Sequence, residues 1–262
     1  MVESRSEKGK PHESAGRKAT GLKQEEGDAM AAELPKRGPG CKDCGNLDSC
    51  VFSGLGEEEL SQAAQIIQQT SYAKGEVIFH QGSPVLGHHI LCRGKAKLVR
   101  RTESGKKKLL RFYSPGELIG GLMDTGIYDA YAETLEDSLV SFMEKADFAD
   151  LLCRYPQVSL EAIRRLSREL EALQRRLAAL SYKGVRERLS DLLLELGREY
   201  GIEQEGGLFI DLRLSPQDLA DTIGCSRQTA SAELHKLARE GLIQVKQGTI
   251  LLVDEAGLRG LC

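Results

Sequence analysis

Between Gln157 and Tyr182 the apolar residues Ile163, Leu166, Leu170, Leu173, Leu177 and Leu180 recur at steps of three and four. Charged residues (Arg164, Arg165, Arg168, Glu171, Arg175) fill the other faces. A stripe this narrow suits a second helix better than a broad globular core. The spacing therefore predicts a long helix that pairs in parallel with a second copy of the chain; the alternative is an amphipathic helix packed on its own domain. The seam contains no polar residue. Its flanks offer no complementary charges, since across the pair Glu169 would face Gln174 and Arg176 would face Ser181.

At 262 residues the chain has room for two domains and a tail. Residues 1–36 are rich in Lys, Glu, Ser and Gly with almost no apolar spacing, so a disordered tail is expected there. No apolar run reaches the length of a membrane span, and the opening MVESRSEKGK has no apolar signal core. The formal charge of −3 does not announce a nucleic-acid binder, so any such claim must come from local arrangement. Seven cysteines, an odd count, are Cys41, Cys44, Cys50, Cys92, Cys153, Cys225 and Cys262. They argue against a disulfide framework and for a reducing cytoplasm with no membrane partner.

Cys41, Cys44 and Cys50 form C-x2-C-x5-C in a Gly- and Asp-containing loop. Two thiolates at that spacing can grip one metal centre, and the third is within a short loop's reach. Zinc and iron–sulfur clusters both use such runs. Zinc wants four ligands and no nearby His or Cys completes a local set, which points to a cluster with a remote fourth ligand.

Leu55–Thr70 reads as a short helix with Leu60, Ala63, Ile66 and Ile67 on one face. From Tyr72 to about Phe142, short β-type runs (VIFHQG, HHILCRGKAKLVRR, KLLRFYSPGELIGG, YAETLEDSLVSFM) are broken by turn signals at Gly75, Gly82, Gly94, Ser104-Gly105 and Pro115-Gly116. That pattern predicts a small antiparallel barrel or roll. His80, His88 and His89 are candidate haem or metal ligands, although surface or core packing is the commoner use of such histidines. Lys145–Tyr155 reads as a helix ended by Pro156, and Lys183-Gly184 breaks the heptad before another amphipathic helix that stops near Gly201.

The last part reads as a strand at Leu208–Leu214, then SPQDLADTIGCSRQTASAELHKLAREGLIQVKQGTILL. Ser215 is an N-cap with Pro216 at the first helical position, Gly224 permits a tight turn, and Ser226 caps a second helix. A hairpin around Gln247-Gly248 follows as a wing. This is the layout of a winged helix-turn-helix, whose second helix enters the major groove N-terminus first. Ser226, Arg227, Gln228 and Ser231 stand at its reading end, where Arg suits guanine and Gln suits adenine. Lys236, Arg239 and Lys246 suit phosphates. Between Gly224 and Gly248 four basic residues (Arg227, Lys236, Arg239, Lys246) face two acids (Glu233, Glu240), a small excess that predicts a moderate salt dependence.

From about residue 41 to residue 255 the chain resembles the cyclic-AMP receptor protein/fumarate-nitrate reduction regulator (CRP/FNR) family of bacterial transcription factors. GCSRQTASAELHKLAREGLI looks like the family's recognition-helix signature, and KGEVIFHQGSP, RGKAKLV and SPGELIG come in the expected order ahead of the long helix. The resemblance implies an α+β chain. It would consist of a tail (1–36), a cysteine-rich leader (37–55), an antiparallel β-roll sensor of cyclic-nucleotide-binding type (56–156), a dimerisation helix (157–183) and a C-terminal winged helix-turn-helix (184–262). It further implies a homodimer, no enzyme activity, a two-fold symmetric site on double-stranded DNA, and RNA polymerase recruited or blocked.

Within the family, cyclic-AMP binders grip the phosphate with an Arg-Ser pair. Here Tyr128-Asp129 stands near that place, Asp129 would repel a phosphate, and no Arg nearby in sequence compensates. The leader cysteines resemble the oxygen-responsive branch, which implies a 4Fe-4S cluster sensing oxygen, nitric oxide or redox state. That branch takes its fourth ligand where Ser141 stands here, so Cys92, or else Cys153, an Asp or a small thiol, must replace it. Gln228 and Ala232 replace the family's usual Glu and Arg, which predicts a different half-site preference. Cluster loss is then expected to free the leader, shift the roll against the long helix and re-aim the reading helices, with the chain dimeric in both states. The alternatives are the same DNA reader with a haem or small-molecule sensor in the roll, and a redox enzyme, for which no nucleotide motif or acid–base constellation is present.

Overall fold

The structure is a computed structural model describing residue 41, residues 44–120 and residues 126–262. The expected tail, leader positions 37–40 and Gly121 lie outside the described residues. After a 3-10 turn at Leu47–Ser49 come α1 (Glu57–Ile66), β1 (Gln68–Tyr72), β2 (Val77–Phe79), β3 (Gly87–Arg93), β4 (Ala96–Arg101), β5 (Lys107–Tyr113), β6 (Leu118–Ile119), β7 (Tyr131–Thr134) and β8 (Ser138–Glu144). Then follow α2 (Lys145–Arg154), α3 (Pro156–Tyr182), α4 (Val185–Tyr200), β9 (Gly201–Gln204), β10 (Gly207–Ile210), α5 (Pro216–Ile223), α6 (Arg227–Arg239), β11 (Ile243–Lys246), β12 (Thr249–Leu252) and α7 (Glu255–Arg259).

The β-rich half is two antiparallel four-stranded sheets, ordered β1-β8-β3-β6 and β2-β7-β4-β5. Alternation along β3 puts Leu91 in the roll interior with Phe79, Tyr113 and Tyr128, while Ile90 faces the other way, into a core shared with the leader. The helix expected over Leu55–Thr70 stops at Ile66 because the next residues pair with β8, with Gln69 opposite Ser141. Leu60 and Ala63 are buried as the periodicity requires, whereas Ile66 is exposed.

Leader and long helix share one core. Cys50, Val51, Phe52 and Leu55 are buried against Phe148, Tyr155, Val158 and Ala162. This corrects the expectation that the whole leader hangs on a metal centre: the turn from Cys50 to Leu55 is anchored by apolar burial. Beyond Ala162, α3 buries nothing. Its seam residues range from 43% exposed at Leu166 to 69% at Leu177, so the six apolar side chains form an open stripe on the single chain. The flanking charges are already paired within the chain, Glu169 with Arg111 at 2.6 Å and Arg176 with Glu195 at 2.8 Å. Pairing within the chain leaves neither of these charges waiting for a partner helix to neutralise it.

The C-terminal part packs α4, α5, α6 and a third sheet, ordered β11-β12-β10-β9, around Leu189, Leu193, Ile210, Leu219, Leu237 and Ile250. The strand expected over Leu208–Leu214 is shorter, ending at Ile210, and it pairs with a strand at Gly201–Gln204 that no periodicity announced. The short α7, also unannounced, is capped by Asp254, which accepts from the Gly257 amide at 2.8 Å.

Candidate sensor site and nucleic-acid interface

Cys41, Cys44, Cys50 and Cys92 line a single cavity of about 300 Å3, together with Gln69, Ser141 and Asn46. The leader supplies three thiols. The fourth comes from β3, at a bulge: Leu91 pairs with Val140 and Arg93 with Leu139, leaving Cys92 as the extra residue on the leader side. Asn46 Nδ2 donates to the Cys92 carbonyl at 3.0 Å, tying the leader turn to that strand. Ser141, across on β8, is buried, and its Oγ lies 2.9 Å from Cys92 Sγ. Gln69 Nε2 donates to Ser141 Oγ at 3.3 Å and stands 3.8 Å from Cys92 Sγ. The position where a ligand was sought in vain thus holds a hydrogen-bonding partner of the substitute ligand. Cys153, the other candidate thiol, is exposed on α2.

The thiols are chemically unsettled as they stand. Burial pushes Cys41 up to about 12, with further upward pushes from Cys92, Cys50 and Cys44. Burial likewise raises Cys50 to about 11 and raises Cys92. Cys50 is buried and Cys41 and Cys92 are half-buried, and thiols raised in this way become thiolates readily when a cationic centre joins them. Zinc would need its sulfurs within ~2.3 Å of one point. Among the described residues no three Cys, His, Asp or Glu side chains converge on a single-ion position. A multi-iron cluster is itself extended and takes thiolates from around a cavity. The donor set and its spread fit a cluster.

His88 and His89 pack against aromatic rings, and His80 is exposed. His88 stacks on Phe148 with ring centres 4.4 Å apart. His89 lies among Phe79, Tyr128 and Phe142, and burial lowers it to about 4. Tyr128 stacks on Phe79 at 3.8 Å and is buried in the roll interior. Asp129 is not uncompensated, as sequence proximity implied: Arg100 from β4 lies 3.7 Å away.

In the reader, Ser215 Oγ accepts from the Asp218 amide at 3.1 Å and Gly224 takes the left-handed conformation (φ 69°) between α5 and α6. Arg188 on α4 bonds the Ile223 carbonyl at 2.9 Å, pinning the end of α5. Ser226 caps α6 by accepting from the Thr229 amide at 3.1 Å, so its oxygen is engaged in capping. Arg227 and Gln228 are exposed, Ser231 is half-buried, and Lys246 is exposed on the wing. Lys236 is exposed but held by Glu233 at 2.7 Å, a surface pair that costs little to break. His235, which the sequence argument passed over, is exposed one turn beyond Ser231 on the same face; its i+7 spacing from Gln228 was the available signal.

Residues 69–155 match the cyclic nucleotide-binding domain family and residues 187–261 match the Crp-like helix-turn-helix domain family. A "Cyclic AMP receptor protein" of Thermus thermophilus is 33% identical over 210 residues, covering 79% of this chain and 94% of that protein. A "Fumarate nitrate reduction regulatory protein" of Klebsiella oxytoca is 26% identical over 220 residues, covering 83% and 88% respectively. Among solved structures, a CooA variant from Carboxydothermus hydrogenoformans superposes with a TM-score of 0.68 at 22% identity, covering 81% of this chain and 95% of that one.

Proposed function

The chain belongs to the CRP/FNR family of DNA-binding transcription regulators, and from that premise we propose that it reads a two-fold symmetric duplex as a homodimer under the control of a 4Fe-4S cluster. Cys41, Cys44, Cys50 and Cys92 are the ligands in this proposal. The observation that carries it is the meeting of Cys92 with the three leader cysteines at one cavity. Bound there, a cluster would supply sensitivity to oxygen, nitric oxide or redox state. The chain's own part is to staple the leader to β3, with Asn46 holding the Cys92 carbonyl. Once Cys92 is a ligating thiolate it has no proton to give, so Ser141 becomes the donor to Cys92 Sγ and Gln69 supports Ser141.

The proposed division of labour is a leader (37–55) and roll (56–156) that sense, a helix (157–183) that couples, and a reader (184–262), with the tail (1–36) outside it. Arg227, Gln228 and Ser231 address base edges and Lys236 and Lys246 address phosphates. Recruitment or obstruction of RNA polymerase completes the proposal.

The test is purification without oxygen, followed by a visible spectrum and iron analysis. The expected result is a coloured protein with about four irons per chain. Cys92→Ser should lose it. Cys92→Ser combined with Ser141→Cys should regain it, because the two side-chain atoms are 2.9 Å apart. A colourless, iron-free parent that binds DNA refutes the cluster and leaves the family assignment intact.

A further inference from the structure

Arg165 lies on α3 but off its seam, with its side chain only 20% exposed. One guanidinium nitrogen, Nη2, donates to the Ser49 carbonyl in the leader at 2.8 Å. Another, Nη1, reaches the Gly116 carbonyl, in the turn between β5 and β6, at 3.5 Å. Its Nε lies 3.0 Å from Glu161 Oε1, an ion-pair contact too bent to be a hydrogen bond. The leader can reach this fork because Gly116 has no Cβ: a side chain there would run into the Ser49 carbonyl.

Ser49 is where the leader changes character. From Cys50 onward the chain is buried against Val158 and Ala162 of α3. Before it, Asp48 and Ser49 are exposed and the turn is held by its own short bonds, such as Cys50 N to the Leu47 carbonyl at 2.9 Å, and by Asn46. Before Cys50, Cys41 and Leu47 are only partly buried against that core, so this is the part that bound thiols would hold most. Arg165 grips the last carbonyl of that part.

We infer that Arg165 is the positioning residue that couples the cysteine loop to the dimer helix. The inference rests on the cluster proposal above. A planar guanidinium presents its donors in a fixed fork, so the orientation of α3 about Arg165 is set by where the two carbonyls stand. Ile163 and Leu166, on either side of it, belong to the seam. With the thiols bound, Ser49 is fixed and the fork is closed. With the thiols released, Arg165 keeps Gly116 and Glu161 and loses Ser49, which frees this turn of α3 to rotate at the seam.

The test uses full-length protein prepared without oxygen, and a duplex selected by the parent protein from a random pool. Operator affinity is measured by fluorescence anisotropy before and after exposure to air, alongside iron content. Arg165→Gln should keep the parent's iron, and the ratio of the two affinities should fall at least tenfold towards one. Arg165→Lys, which keeps the charge but not the fork, should give an intermediate ratio. Parental iron with a parental ratio in Arg165→Gln overturns the inference while sparing the cluster proposal; a parent without iron overturns both. Loss of iron in Arg165→Gln also overturns it, by making Arg165 an assembly residue. Independently, hydrogen exchange on the parent should show air exposure deprotecting residues 47–50 and the α3 turn around Arg165 together. Deprotection of the leader alone overturns the coupling.

Discussion

Lys108 on β5 and Asp221 on α5 join roll to reader at 2.7 Å, and the pair is lopsided: the lysine side chain is 46% exposed and the aspartate 3%. Asp221 also accepts from the Leu109 amide at 3.3 Å and from Gln217 Nε2 at 2.8 Å. Lys108→Ala leaves a carboxylate out of water with two neutral donors, which should cost about 3 kcal/mol, the low end for breaking a buried pair from one side. Asp221→Asn instead returns Lys108 to water and keeps an oxygen for Leu109, so about 1 kcal/mol is expected. At 1.4 kcal/mol per tenfold, opening of this interface should rise roughly 100-fold in the first variant and roughly 5-fold in the second. Hydrogen exchange of peptides covering Lys107–Tyr113 and Pro216–Ile223 in the full-length protein reads both. Equal effects, or a larger effect from asparagine, would refute the argument that a desolvated charge is being held by an exposed partner.

Leu173→Glu puts a carboxylate into the open seam, where Leu173 is 53% exposed, and should convert a dimer to a monomer in sedimentation velocity; a retained dimer would move the interface elsewhere. Arg227→Ala should cost about 1–3 kcal/mol of operator affinity and relax preference at one base, whereas Lys246→Ala should lower the salt slope by about 1 with preference unchanged. Burial next to His88 holds His89 at about 4, below its ordinary 6.5, so as pH falls the unfolded chain takes up the proton first and stability is lost from 6.5 down to 4. The loss by pH 5 should be about 2 kcal/mol, read from urea midpoints. His89→Gln should remove that part of the slope, and an unchanged slope would sink the assignment.

What the sequence made legible follows from how local the determinants are. The long helix was readable because none of its seam residues is buried by the rest of the chain, so little tertiary demand overwrites the heptad. The reader was readable because Ser215, Pro216, Gly224 and Ser226 fix the geometry within a few residues of themselves. Gln68–Thr70 was misread as helix because its strand character comes from β8, about seventy residues away. Cys92 was nameable only because thiols are few. Its meeting with the leader depends on the β3/β8 register and on the bulge after Leu91, which no local pattern encodes. Asp221 and Arg165 were illegible for the same reason: their partners are Lys108 and Ser49.

The burial pattern also narrows what a sensing event at the cysteines can do. Val51 and Phe52 are 0% and 2% exposed, and side chains of that kind contribute about 1.5–3 kcal/mol each by staying buried. Releasing a cluster from the four proposed cysteine ligands would remove none of that apolar contact, so the chain from Val51 onward would keep its place against α3. The consequence would start in the turn before it, which ends at Ser49, and reach α3 through Arg165. A conformational equilibrium needs only a few kcal/mol of differential stability to move occupancy strongly, and one carbonyl–guanidinium bond together with the Asn46 bond is of that order. The six seam residues make none of these bonds, and the turn that carries Ile163 and Leu166 would only rotate. On the proposed reading, dimer strength and signal would reside in different contacts of the same helix. A cluster-dependent change should alter the angle at which two reading helices are presented without changing the number of chains that present them.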